Sequence, residues 1–152
     1  MKTNFHIWQN NRNIYYKFLQ HNSLEQLNKI PEGFNNNLIW NIGHVIVVQQ
    51  RLVYANSGLP MNVSDDLFQA YKPGSKPEGD VPKETVDFFK ELLISPIDQT
   101  IEDFENGRFT DYNEFTTSKG FHLASVEDAI TFNNYHEALH LGTMVSLLKF
   151  LQ

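Results

Sequence analysis

Residues 36–57 form the stretch that most restricts the fold. Leu38, Ile39, Ile42, Val45, Ile46, Val48, Leu52 and Val53 give it a broad apolar face. Its β-branched centre, Ile42-Gly43-His44-Val45-Ile46-Val47-Val48, also suits a buried strand. Length decides for a helix, because strands rarely exceed about 10 residues. Ser57-Gly58-Leu59-Pro60 then supplies a stop, with glycine just past the end and proline beyond it.

Three more long helices are legible. Residues 3–21 carry Phe5, Trp8, Ile14/Tyr15, Phe18 and Leu19 at roughly helical spacing, with Asn and Gln on the other face. A short helical piece, Ser23 to Lys29, follows before Pro31-Glu32-Gly33 breaks the chain. Residues 82–106 carry Val86, Phe89, Leu92/Leu93, Ile97, Ile101 and Phe104, and Pro96 inside them predicts a kink or a split. The last helix is expected over about 125–151, opened by Ser125-x-x-Asp128 as a capping box. Its stripe is read as Ile130, Asn134, Ala138, Leu141, Met144/Val145 and Leu148. Residues 60–82, rich in proline and glycine, read as a loop with a short helix at Ser64–Tyr71. Residues 108–123 read as an irregular hairpin or an extended excursion.

Four long amphipathic helices in 152 residues predict a single all-α domain, a four-helix bundle with irregular connections. The net charge of −6 and the lack of any Lys/Arg cluster argue against a nucleic-acid surface. There is no cysteine, which removes disulfides, thiolate metal sites and cysteine nucleophiles and fits a cytoplasmic protein. The N-terminal residues hold no apolar run suited to a signal peptide, and no apolar stretch is long enough to span a membrane.

His136-Glu137-Ala138-Leu139-His140 is an H-E-x-x-H pattern within the last helix. Positions i and i+4 share a helix face, so both imidazoles can reach one metal ion. In a zinc peptidase Glu137 would polarise a metal-bound water. Such enzymes take their third ligand after the motif, and here the twelve residues after His140 contain no His, Asp, Glu or Cys. The third ligand is therefore sought upstream, at His44 in its apolar run. The competing reading of His44 is a hydrogen-bonded core histidine. Gly43 beside it, unfavourable by about 1 kcal/mol inside a helix, suggests close helix packing. His6, His21 and His122 are not expected as ligands, although His122 is kept as a pocket residue. Asn133, one turn before His136, either packs as a polar edge or bonds a ligand.

Trp40-Asn41-Ile42-Gly43-His44 together with Asn134-Tyr135-His136-Glu137-Ala138-Leu139-His140-Leu141-Gly142-Thr143-Met144 resembles the DinB superfamily, which includes helical-bundle metal-dependent hydrolases of the YfiT type. His44, His136, His140 and Gly142 match the family pattern. Met144 departs from it, since many relatives carry a polar residue nearby, and Glu137 lies outside the family's three ligands. The resemblance implies a divalent transition metal (Zn, Ni or Fe) on His44, His136 and His140. It also implies hydrolysis, or transfer or isomerisation with a low-molecular-weight thiol, of a small-molecule substrate, and homodimer formation. The rival from another class is a non-catalytic helical protein binding a small ligand or partner. Glu137 is kept as a candidate catalytic residue.

Overall fold

A computed structural model describes residues 1–151. Its first helix, α1 (Lys2–His21), buries Phe5, Trp8, Arg12, Tyr15, Phe18 and Leu19, which recur every three or four residues. Ile14, read from the sequence as part of that stripe, is 43% exposed, and Arg12 holds the core position instead. A short helix, α2 (Leu24–Asn28), is opened by a full capping box: Gln26 N donates to Ser23 Oγ, and Ser23 N to Gln26 Oε1.

The apolar run becomes α3 (Leu38–Val53), capped by Asn37, whose side chain accepts from Trp40 N at 2.9 Å. Arg51 is its one exposed residue, so α3 is enclosed on nearly every side. A 3-10 turn at Ala55–Ser57 ends in Gly58, whose φ of 72° needs the left-handed region that glycine reaches freely. Within the proline-rich connection, Ser64 caps α4 (Asp65–Tyr71), and Asp65 and Asp66 complement its N-terminal dipole.

Next comes α5 (Lys83–Glu105), which runs through Pro96 unbroken, so the predicted split does not occur. A proline removes one N–H and crowds the carbonyl four residues back, and here the helix continues on the remaining bonds. The Thr100 hydroxyl donates to the Pro96 carbonyl at 2.7 Å. The excursion after it pairs two short antiparallel strands, β1 (Phe115–Thr116) and β2 (His122–Leu123). The final long helix, α6 (Val126–Leu148), starts at Ser125, whose side chain accepts from Asp128 N.

The described residues are thus mostly helical, with four long helices. α3 packs chiefly on α6, and α1 on α5 and α6, while α4 lies on α3. Buried apolar residues fall in two clusters. One holds Tyr15, Ile42, Leu93 and Leu147, and the other holds Trp8, Val48, Ile97 and Ile130. The core face of α6 differs from the predicted stripe. Ala138 and Val145 are exposed, whereas Val126, Ala129, Ile130, Asn133, Glu137, Met144 and Leu147 are buried. Polar residues occupy the centre of the face, and the apolar period is lost there. No helix among the described residues is long and apolar enough to cross a membrane.

Candidate metal centre

Where α3 meets α6, three imidazoles converge. His44 comes from the middle of α3; His136 and His140 stand one turn apart on α6. One ring nitrogen from each lies within 4.8 Å of those of the other two. Ring centroids are 5.3 Å apart for His44 and His136, and 4.7 Å apart for both His44–His140 and His136–His140. Among the described residues this is the one grouping of three or more potential ligand side chains.

Each ring has a different neighbour. His44 Nδ1 lies 2.7 Å from the main-chain oxygen of Tyr71, at the end of α4. A carbonyl can only accept, so Nδ1 carries the proton and Nε2 keeps its lone pair. Tyr71 reaches this place because residue 43 is glycine: a Cβ there would fall inside the Tyr71 ring. The close approach inferred from Gly43 is therefore that of α4, not of another long helix. Trp40 stacks on His44 at 4.8 Å, and its indole N–H donates to Ser75 Oγ. His140 Nδ1 lies 2.8 Å from Asn41 Oδ1. His136 Nδ1 is buried without a partner. Phe132 lies beside its ring, 6.4 Å between centroids, and packs in turn on Phe121 and Tyr135.

Burial holds all three rings neutral. It pushes His136 down to about 3, helped by His140, His44 and Arg12, and His140 down to about 4, helped by His44. His44 is also lowered by burial, against the pull of the Tyr71 carbonyl. Neutral imidazoles are the form that ligates metals.

These residues fit a divalent ion. Metal–nitrogen bonds of about 2.0–2.1 Å bring tetrahedral ligand atoms to about 3.4 Å from one another, a modest contraction of the observed cluster. Neutral rings, outer hydrogen bonds on His44 and His140, and an unpartnered buried nitrogen on His136 suit that role.

Glu137 turns the other way. It is fully buried against α1, and its Oε1 accepts from Trp8 Nε1 (2.9 Å), Arg12 Nε (3.0 Å), Arg12 Nη2 (2.8 Å) and Asn133 Nδ2 (2.8 Å). Tyr15 donates to its main-chain oxygen at 2.7 Å. Burial pushes the Glu137 carboxyl up, while the Arg12, Asn133 and Trp8 donors pull it down. Asn133 is fully buried and spends its amide nitrogen on Glu137.

The other histidines stand apart from the three. His6 is exposed and lines a cleft of about 300 Å³ between α1 and α5. His21 is exposed in the last turn of α1. His122 is exposed on β2, 3.3 Å from Thr116 Oγ1 and 3.5 Å from Glu114. Met144 is fully buried in the core.

Sequence reasoning passed over Arg12, Trp8, Asn41 and Tyr71 as supports. Asn41 stands within the quoted motif, but nothing in its spacing names His140 as its partner. A main-chain carbonyl has no sequence signature at all. The model of the DinB superfamily matches residues 7–144, most of the chain, and the chain belongs to that superfamily. No curated protein matches it.

Proposed function

We propose that this member of the DinB superfamily is a metal-dependent enzyme, a four-helix bundle of the DinB/YfiT type with a divalent transition metal on His44, His136 and His140. The observation that carries the reading is the convergence of three neutral imidazoles, His44 buried and the other two half-buried, one nitrogen of each within 4.8 Å of the others. Three histidine ligands leave coordination positions for water or substrate, as catalytic sites do and closed structural sites do not. When bound, such an ion activates water, polarises a carbonyl or stabilises a thiolate. Imidazole ligands accept Zn²⁺, Ni²⁺ and Fe²⁺ alike.

The chain's own part is positional. The Tyr71 carbonyl and Asn41 orient two rings, and Trp40 covers one face of His44. The reactions this serves are hydrolysis of a small molecule, or transfer or isomerisation with a low-molecular-weight thiol. We take the protein as cytoplasmic and homodimeric; half-exposed Tyr135, Leu139 and Val145 on α6 support pairing. Four N–H groups on a single Glu137 oxygen support a scaffold role for that residue and weigh against a peptidase. Peptide cleavage lost in Glu137→Gln would reverse that assignment.

The deciding experiment is the metal content of protein purified without a histidine tag. About one equivalent of transition metal per chain, lost in His44→Ala, is the expected result. A chain that stays metal-free in the presence of Zn²⁺, Ni²⁺ and Fe²⁺, with unchanged stability in His136→Ala, would instead mark a non-catalytic helical protein.

A further inference from the structure

Asn41 is fully buried on α3, one turn before His44. Its amide nitrogen donates to the main-chain oxygen of Asn37 at 2.7 Å and to Asn36 Oδ1 at 3.0 Å. Its amide oxygen lies 2.8 Å from His140 Nδ1. A main-chain carbonyl has no proton to give, so the nitrogen end must face Asn37. Turning the amide over would set oxygen against oxygen and leave a buried acceptor unpaired. With the nitrogen fixed, Asn41 can offer His140 only an acceptor. His140 then carries its proton on Nδ1, and the lone pair stays on Nε2.

We infer that Asn41 is a positioning residue that selects the His140 tautomer and aims Nε2 into the three-histidine cluster, an inference that rests on the metal-site reading above. It transmits to α6 the order imposed at the start of α3, where Asn37 also caps the helix. His44 is held in the same tautomer by the Tyr71 carbonyl. Two of the three rings are therefore set by uncharged acceptors before any ion arrives. Removing an outer partner of this kind lowers metal affinity by about 10–100-fold.

The test is the histidine ring nitrogen spectrum of the ¹⁵N-labelled, metal-free protein, read at a pH where the rings are neutral, beside Zn²⁺ and Ni²⁺ titrations. Unsubstituted protein is expected to show His140 protonated on Nδ1. Asn41→Leu is expected to mix or reverse that tautomer and to weaken both metals about 10–100-fold. Asn41→Asp keeps the acceptor towards His140 but sets an oxygen against the Asn37 carbonyl. It is expected to lose stability and keep the tautomer. A residue that merely anchors the start of α3 would leave the His140 tautomer unchanged in both variants, and that result overturns the inference. Should Asn41→Leu not fold, the unsubstituted spectrum still decides, since a proton on Nε2 rules the inference out. A chain that takes up neither metal yet shows the expected tautomer change would sink the metal-site reading while supporting the role of Asn41.

Discussion

Two neighbours on α6, His136 and Glu137, face opposite fates. His136 points towards α3 with a buried nitrogen that meets nothing. Glu137, one step round the helix, points towards α1 and receives four N–H groups on a single oxygen. Glu137 gathers every donor on Oε1 and leaves Oε2 buried without a partner, whereas the His136 Nδ1 receives no donor at all and its ring is neutral. The contrast assigns work: the ion pair and hydrogen bonds on Glu137 Oε1 tie α6 to α1, while ring nitrogens that no donor claims are free to meet a ligand. A motif read as a single catalytic unit thus divides into a scaffold residue and two ligand candidates.

Acid separates the two sides most sharply. The folded-state pKa values of His136 and His140 lie below the ordinary 6.5, at about 3 and about 4. The unfolded chain takes up protons first, so the stability from these rings is complete above pH 6.5 and declines as pH falls towards those values. The decline reaches up to about 1.4 kcal/mol per pH unit for each ring. Urea unfolding of the metal-free chain at pH 7, 6, 5 and 4 should show it, and His136→Asn should flatten the slope. A chain whose stability holds level down to pH 4.5 would contradict the picture of buried neutral rings.

Arg12→Met strikes the Glu137 side. It leaves the Glu137 carboxyl buried without its cation, at an expected loss of about 3–5 kcal/mol. Metal stoichiometry of the folded fraction should not change. Loss of metal with little loss of stability would join the two sides into one site. Replacing Arg12 and Glu137 together with Met should recover most of the lost stability, because a buried pair often exchanges for apolar residues at little net cost.

Gly43→Ala strikes the histidine side from a distance. The added methyl meets the Tyr71 ring, so α4 must shift and take its carbonyl away from His44. About 1–3 kcal/mol of stability should be lost to overpacking, with weaker Zn²⁺ binding by calorimetry. An unchanged affinity would mean that the Tyr71 contact does not orient His44. Gly142→Ala is the smallest effect and the control. Nothing lies within 4 Å of the added methyl, and a gain of roughly 0.5–1 kcal/mol is expected from the better helix former. A thermal melt checks the sign.

The helices were legible because apolar periodicity and stop signals mark them, and α3 most of all, since apolar residues mark its buried face around Asn41, His44, Gln49 and Gln50. The two stripes misread from the sequence, on α1 and α6, share one cause. Arg12 stands where α1 needs a core residue, and Asn133 and Glu137 stand where α6 does. None of the three stands on the apolar stripes, although Asn133 and Glu137 were weighed for other roles, and Glu137 is the partner of the other two. Periodicity reads one helix at a time, whereas a buried ion pair is defined only between two. The histidines were legible for the opposite reason: a spaced pair, and a lone ring inside an apolar run, both stand out against their surroundings. Their supports did not, because Asn41 recognises a residue 99 positions away and Tyr71 acts through its backbone.

The Tyr71 carbonyl has a genetic consequence. An oxygen of the main chain belongs to every amino acid, so no codon change at position 71 can delete the acceptor that orients His44. Only displacement of the backbone can remove it, and Gly43 is where a single methyl would cause that. A mutational scan should therefore record its deficit at a glycine that carries no side chain to offer the histidine cluster.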